Sequence, residues 1–240
     1  MGAQDPITRR NCLVAGVGTV IGGLAASSLA RASNDEHEGK KPAISGEEAL
    51  RRLKEGNKRF VTGDVLHAHQ AADWREHLSD GQQPFATILA CSDSRVPPEL
   101  VFDQGFGDLF VIRVAGNVYA SDVVGSLQYA VYHLHTPLIV VMGHERCGAV
   151  MAALDALEGR GTEPRFIRSL LERIHPGLEK LPDSVQGDDR VQAAVEANVR
   201  WTIKQLKALP ETQQRLTHKE VLGAGAVYEL KTGAVRFLED

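Results

Sequence analysis

Aromatic residues and cysteines are both scarce in this chain of 240 residues. The aromatic share is only 5%, so a core must be built mainly from Ala, Val, Leu and Ile. Three cysteines are too few for a disulfide framework. Neither positive nor negative charge dominates, because the formal net charge is only −4. The sequence has no basic stripe with interleaved aromatic residues. These absences argue against a disulfide-stapled scaffold and against a nucleic-acid-binding protein.

The apolar share, 43%, is enough for one globular core. No internal repeat and no domain-splitting linker follows Pro42, so residues 43–240 are predicted to form one catalytic domain. The sequence has no Gly-x-Gly-x-x-Gly motif, the signature of a dinucleotide-binding site, after any of the apolar runs described below. This absence argues against a zinc-dependent dehydrogenase.

The N-terminus reads as an export signal. Arg9 and Arg10 precede an uncharged stretch over residues 11–30, a pattern typical of twin-arginine signals. Ala30-Arg31-Ala32 is a small-x-small cleavage site, so we expect a signal peptide over residues 1–32. An uncleaved membrane anchor is the alternative, but the glycines, serines and threonine of the stretch make it weakly hydrophobic.

Cleavage after Ala32 would leave a polar linker over residues 33–42 and a periplasmic protein with no stable membrane span. Cys12 would be lost, so Cys91 and Cys147 would be the only cysteines of the mature chain. The periplasm oxidises thiols. Because twin-arginine export carries folded proteins, a metal site could be loaded before its thiols reach that compartment.

The periodicity of the remaining chain predicts an α/β fold. Ser45 and Glu48 form a capping box, behind which apolar residues at helical spacing predict a helix to about Val61. Trp74 and Leu78 indicate a second, short helix. Strands are then predicted over 85–90, 109–114 and 138–142, helices over 123–134, 147–157, 165–174 and 191–209, and a hairpin over 226–230 and 234–238. Apolar strands that alternate with helices indicate a small parallel sheet with helices on both faces.

Two cysteines and a histidine follow strands of this sheet. Cys91 comes directly after the first apolar run, and His144 and Cys147 come after the third. Because parallel strands end at the same edge of a sheet, these three side chains should converge there. Cysteine and histidine are zinc ligands, and three protein ligands with an open fourth position are typical of catalytic zinc. A disulfide between Cys91 and Cys147 is the competing interpretation.

The two motifs resemble the signatures of a known family. Cys91-Ser-Asp-Ser-Arg-Val-Pro-Pro-Glu99 and Gly143-His-Glu-Arg-Cys-Gly148 are similar to the signature motifs of β-class carbonic anhydrases. The similarity extends to residues 56–60, 110–117 and 225–228. It implies reversible hydration of carbon dioxide to bicarbonate and a proton by a zinc-bound hydroxide, with one zinc per chain. It also implies a parallel sheet with an antiparallel edge strand, and a homodimer or dimer of dimers with active sites at the subunit interface.

The resemblance also assigns roles to individual residues. Asp93 and Arg95 would be the catalytic pair, in which Arg95 holds the Asp93 carboxylate off the metal so that it accepts a hydrogen bond from the hydroxide. The substrate-binding residues would be five: Gln82 for the substrate oxygens, Phe110 and Tyr129 for an apolar pocket, and Gly116 and Asn117 for backbone close to the site.

One departure from the family concerns regulation. Some members bind bicarbonate at a regulatory site built from a Trp, an Arg and a Tyr. Arg113 and Tyr228 match two of those positions, but Ile88 stands where the Trp would be. We therefore expect an enzyme without a bicarbonate switch.

Two rival functions remain open at this point. The first is hydrolysis of carbon disulfide or carbonyl sulfide on the same zinc scaffold, where access to the pocket would decide the substrate. The second is a non-enzymatic zinc or thiol redox switch that uses Cys91 and Cys147.

Overall fold

The computed structural model describes residues 43–182, 184–218 and 220–239. The predicted signal peptide, the linker over 33–42 and Cys12 lie outside these residues. Eight helices are described: α1 Gly46–Thr62, α2 Ala72–His77, α3 Pro98–Val101, α4 Ser121–Tyr132, α5 Gly148–Leu157, α6 Arg165–Leu178, α7 Gly187–Lys207 and α8 Pro210–Thr217. None of these is long and apolar enough to cross a membrane.

A five-stranded sheet forms the centre of the domain. Its strands are β1 Ala86–Ala90, β2 Leu109–Arg113, β3 Leu138–His144, β4 Leu222–Tyr228 and β5 Val235–Leu238. They lie in the order β2-β1-β3-β4-β5. The first four are mutually parallel, and β5 pairs antiparallel with β4. The predicted fold class, including the antiparallel edge strand, is therefore confirmed.

Strand burial follows position in the sheet. Every residue of β1 and β3 is buried, whereas the edge strands β2 and β5 are only partly buried. Strands covered on both faces carry uninterrupted apolar sequences because neither face meets water. For this reason β1 and β3 could be predicted from short runs of consecutive, mostly apolar residues.

Helices cover the two faces with separate cores. Ile88 of β1 packs on the α1 side with Leu53 and Phe102. Its neighbour Leu89 points to the opposite face, where it packs with α4 and α7 residues such as Val199. Successive strand residues point to opposite faces, so one strand serves both cores. The prediction of helices on both faces is confirmed.

Helix α1 begins and ends close to the predicted bounds. The Ser45 hydroxyl accepts a hydrogen bond from the Glu48 N–H at 3.2 Å, and Gly63 ends the helix with φ +80°. The other half of the capping box differs from the prediction, because the Glu48 carboxylate accepts hydrogen bonds from Arg51 and Arg52. Charged guanidinium donors are stronger partners for a carboxylate than a backbone N–H.

Several helix bounds differ from the sequence prediction. Helix α6 continues past Ile174 to Leu178, which is buried in the core, and α7 begins at Gly187 rather than at 191. The short helices α3 and α8 were not predicted. Each begins at a proline, which is a recognised signal for the first helical position. Their few residues give too little periodicity to identify a helix.

Polar contacts fasten α1 to the loop after α3 and to the C-terminal hairpin. Asn57, which is buried, donates to the carbonyls of Val101 and Gly233 at 3.0 and 2.9 Å and accepts from the Val235 N–H at 2.8 Å. Arg59 lies two residues after Asn57 on α1, and its guanidinium donates to the buried carboxylate of Asp103 at 2.5 Å. The first helix and the last strand are thus joined directly.

Replacement of Asp103 tests the ion pair. Burial alone would raise the pKa of Asp103, but hydrogen bonds from Arg59 and from the Leu66 and His67 N–H groups lower it below its usual range. A carboxyl with a lowered pKa stabilises the fold above its unfolded-state pKa of about 4 and ceases to do so as pH falls through its folded-state value. We expect Asp103→Asn to cost about 2 kcal/mol at pH 7, and the difference from wild type to shrink below pH 4. Urea unfolding at both pH values measures this, and a pH-independent difference would contradict it.

Candidate metal centre

Three buried donors meet at the carboxyl edge of the sheet. Cys91 directly follows β1, His144 is the last residue of β3, and Cys147 is the N-cap residue immediately before α5. One donor atom from each side chain lies within 4.8 Å of the others. Ala90 pairs with Met142 in the parallel register of β1 and β3, so Cys91 lies level with Gly143, one residue before His144. The predicted convergence is confirmed.

The His144 ring has its orientation fixed. Nδ1 lies 2.9 Å from the carbonyl oxygen of Glu145, which can only accept, so Nδ1 carries the ring proton. Nε2 is left with its lone pair, and this buried atom has no hydrogen-bond partner among the described residues. A ligating histidine commonly donates its other N–H to a carbonyl, as here.

Glu145 is itself held by the C-terminal hairpin. Its N–H donates to the Tyr228 carbonyl at 3.0 Å, and its carboxylate accepts from the Leu230 N–H at 2.9 Å. The hairpin therefore fixes the carbonyl that orients the imidazole. Sequence reasoning did not identify this contact, because 85 residues separate Glu145 from Leu230.

The two cysteines are free thiols. Their Sγ atoms are 3.9 Å apart, well beyond the S–S bond length of about 2.05 Å. The Cys147 thiol donates to Cys91, which lowers the pKa of Cys91 and raises that of Cys147. Two close sulfurs that share a proton form a site that a divalent cation can enter by displacing it. Together with the open Nε2 of His144, the donor set fits zinc.

A carboxylate flanks the three donors. The Asp93 Oδ2 atom lies 3.8 Å from His144 Nε2. The Arg95 guanidinium donates to both carboxylate oxygens, at 2.9 and 2.7 Å, and its backbone N–H donates to Oδ1 at 3.0 Å. These bonds hold the pKa of Asp93 well below its usual range. The carboxylate therefore stays ionised with a fixed orientation beside the donors.

Arg113 holds the same loop from the other side. Its guanidinium donates to the carbonyls of Cys91 and Asp93, at 3.1 and 2.6 Å. Ile88, at the position of the family's Trp, is fully buried, and Tyr228 is buried in the same core cluster. Arg113 therefore fastens the loop that carries Cys91 and Asp93 through its backbone carbonyls.

Gly116 and Asn117 lie in the turn that follows β2. The Gly116 N–H donates to Cys91 Sγ at 3.3 Å, so backbone does approach the site there. Asn198 and Thr202 of α7 hold the carbonyls of this turn. Sequence reasoning missed both, although two polar residues four apart on the buried face of an amphipathic helix are an available signal.

The remaining predicted substrate residues lie apart from the donors within one chain. Gln82 is exposed in the loop before β1. The Phe110 and Tyr129 rings are 6.2 Å apart, and Tyr129 is 48% exposed. Phe110 pairs with Thr87, four residues before Cys91, which places it about 13 Å back along the strands. One subunit does not bring these residues to its own metal donors.

Comparisons with known proteins agree with this geometry. A family profile described as "Carbonic anhydrase" matches residues 86–235. Carbonic anhydrase 2 of Mycobacterium tuberculosis (strain H37Rv) is 42% identical over 186 residues, which cover 77% of this chain and 89% of that protein.

Solved structures share the fold. The β-carbonic anhydrase CcaA superposes with a TM-score of 0.65 at 29% identity, covering 80% of this chain and 88% of that one. The Coccomyxa β-carbonic anhydrase, solved with acetazolamide, gives 0.64 at 26% identity, with 79% and 86% covered. Family profile, relatives and fold agree, and the chain belongs to the β-class carbonic anhydrases.

Proposed function

We propose that this chain hydrates carbon dioxide reversibly to bicarbonate and a proton, with one zinc held by Cys91, His144 and Cys147. The observation that carries the proposal is the convergence of these three buried donor atoms within 4.8 Å in a chain of this family. When bound, zinc acts as the Lewis acid that makes water a nucleophile near neutral pH. Three protein ligands leave the fourth coordination position for that chemistry.

Asp93 and Arg95 control the approach to the fourth position. A carboxylate this close to the donors could bind the cation itself and block the substrate. Arg95 prevents this by engaging both carboxylate oxygens and directing them. Held in this way, Asp93 would accept a hydrogen bond from the attacking water or hydroxide and so orient it toward carbon dioxide.

The pocket for the nonpolar substrate forms between subunits. Phe110, on the edge strand β2, lies about 13 Å back along the strands from the donors of its own chain. Its ring is 6.2 Å from the ring of Tyr129 on α4. Tyr129 is half-exposed, so its ring is free to contact a second subunit. We infer that these residues and Gln82 complete the site of a second subunit, in a homodimer or dimer of dimers.

Mixed dimers test this arrangement. We expect co-expressed Cys147→Ser and Tyr129→Ala chains to recover activity that neither has alone, because one site of each mixed dimer receives both intact halves. Random pairing in a two-fold dimer restores about a quarter of the sites. Co-expression of Cys147→Ser with His144→Ala, two defects on the same side, serves as the control and recovers nothing. A Tyr129→Ala mixture that also recovers nothing would contradict the shared pocket.

Bicarbonate inhibition tests the absence of a switch. Arg113 is already bonded to the Cys91 and Asp93 carbonyls, and Ile88 offers bicarbonate no hydrogen bond. We expect inhibition by bicarbonate with a Hill coefficient of about 1, and activity that persists below neutral pH. Initial rates at a series of bicarbonate concentrations measure this. Cooperative inhibition with a sigmoidal loss of activity below neutral pH would contradict it.

The chain is proposed to work in the periplasm. Arg9-Arg10, the uncharged stretch and Ala30-Arg31-Ala32 support a twin-arginine signal peptide cleaved after Ala32. The mature protein would then begin at Ser33 and include the linker over 33–42 and the catalytic domain over 43–240. Intact mass of the protein from a periplasmic fraction tests the cleavage, and replacement of both arginines by lysine should retain the precursor in the cytoplasm.

Stopped-flow measurement of carbon dioxide hydration tests the main proposal. We expect the zinc-loaded protein to accelerate hydration, and chelation to remove the activity. An inactive wild-type protein with one zinc per chain would overturn the proposal. The alternatives, hydrolysis of carbon disulfide or carbonyl sulfide and a redox switch, are not favoured, because the relatives are carbonic anhydrases.

A further inference from the structure

Helix α7 contacts the turn after β2 at two backbone carbonyls. Asn198 Nδ2 donates to the Gly116 carbonyl at 2.8 Å, and the Thr202 hydroxyl donates to the Asn117 carbonyl at 3.3 Å. Both donors are 1% exposed. They lie one helical turn apart, so a single face of α7 holds two successive peptide groups.

The turn needs outside support because its backbone is unusual. Gly116 has φ +70° and Asn117 has φ +43°, so two successive residues occupy the left-handed region. A Cβ at Gly116 would lie 2.8 Å from Ile174 Cδ1 and 3.2 Å from Ala149 Cβ, so no other residue fits there without displacement. Such conformations persist only where neighbouring groups hold them.

This backbone conformation directs a hydrogen bond at one of the proposed metal ligands. The Gly116 N–H points at Cys91 Sγ, 3.3 Å away. An N–H donor at a thiolate withdraws electron density from the sulfur and fixes its direction. Loss of a hydrogen bond to a metal ligand typically costs about 10- to 100-fold in metal affinity or activity.

We propose that Asn198 is a positioning residue of the metal centre. By holding the Gly116 carbonyl, it keeps the Gly116 N–H on Cys91 Sγ and so sets the donor strength and the direction of that sulfur. The inference rests on the proposed zinc site. Asn198 itself touches neither a ligand nor the substrate position, and it acts entirely through Gly116.

The buried side-chain amide of Asn198 is energetically unfavourable, which indicates that the residue has a specific role. Its Oδ1 atom is buried and has no hydrogen-bond partner within the described part of the chain. An unsatisfied buried amide oxygen is unfavourable, and an apolar side chain would fill the space without that cost. Packing alone therefore does not account for an asparagine at this position, whereas the bond to Gly116 does.

Cobalt spectroscopy of the full chain tests the proposal. Cobalt(II) replaces zinc and gives a thiolate-to-metal charge-transfer band in the near ultraviolet, whose energy reports the electron density on sulfur. In Asn198→Ala the Gly116 N–H should leave Cys91, the sulfur should become electron-richer, and the band should move to lower energy. We also expect zinc transfer to a chromophoric chelator to be about ten-fold faster than in wild type.

Thr136→Val is the matched control. It also removes a buried side-chain hydrogen bond, the one between the Thr136 and Thr87 hydroxyls at 2.9 Å, but this contact involves neither a metal donor nor a group that orients one. Thr136→Val should lower the melting temperature and leave the cobalt band in place. If Asn198→Ala does not fold, Asn198→Ser is used; its hydroxyl is too short to reach the carbonyl directly, so a shift of the same sign is expected.

Two results separate the failure of this inference from the failure of the proposed function. An unmoved cobalt band in a folded Asn198 variant, with zinc transfer no faster than in Thr136→Val, would overturn the positioning role alone. A wild-type chain that takes up no cobalt or zinc would overturn the metal centre. Neither measurement depends on carbon dioxide turnover.

Discussion

Cys147→Ser is expected to remove zinc and carbon dioxide hydration together. Cys147 supplies one of three donors in a buried site, and a serine hydroxyl is a far weaker zinc ligand than a thiolate. Loss of the Lewis acid should reduce kcat/KM by more than about 1,000-fold, because its contribution amounts to several kcal/mol. Zinc per chain, measured by mass spectrometry of the metal, and stopped-flow hydration give the two readouts.

The control for this prediction is a buried serine on α5. Ala153→Ser introduces the same side chain at a fully buried position of that helix and should keep both zinc and activity. A Cys147→Ser protein that retains one zinc per chain and full turnover would show that Cys147 is not a ligand. Loss of zinc in both variants would point to a general effect of serine substitution on the fold.

Asp93→Asn is expected to separate metal binding from turnover. The asparagine keeps the shape of the side chain but loses the charge that pairs with Arg95 and that accepts the hydrogen bond of the nucleophile. Zinc should stay at one per chain, because the three donors are untouched. We expect kcat to fall about 100-fold, because a misoriented nucleophile costs a reaction about that factor.

Asp188→Asn provides the comparison for Asp93→Asn. Asp188 also pairs with an arginine, Arg146, which adjoins Cys147, but its side chain is 90% exposed. Exposed ion pairs contribute little, so this variant should have nearly wild-type activity and stability. Full activity in Asp93→Asn would refute the role given to the Asp93–Arg95 pair, and loss of its zinc would mean that the carboxylate supports the metal directly.

The donor set could be predicted because local sequence and sheet geometry both point to it. Cys91 and His144 end strands that are buried on both faces, and such strands are recognisable as short apolar runs. Once both runs are assigned to a parallel sheet, the meeting point of their carboxyl ends follows. Cys147 needed only the further observation that a helix begins there.

Contacts between distant segments could not be predicted in the same way. Asn198 lies 82 residues after Gly116, and its identity matters only because α7 crosses the turn after β2. The register that separates Phe110 from the donors is likewise a property of the assembled sheet. The resemblance to the family named Phe110 and Tyr129, but only the structure shows that one chain does not bring them to its own metal donors.

The bond between Glu145 and the C-terminal hairpin has a consequence for biosynthesis. Glu145, whose carbonyl orients His144, is held by Tyr228 and Leu230, which are synthesised after all three ligands. A nascent chain that still lacks this hairpin holds the three ligands without the contact that aims the imidazole. Completion of the metal centre therefore requires the hairpin to be in place, and we expect a chain truncated before residue 228 to bind zinc weakly even with all three ligands present.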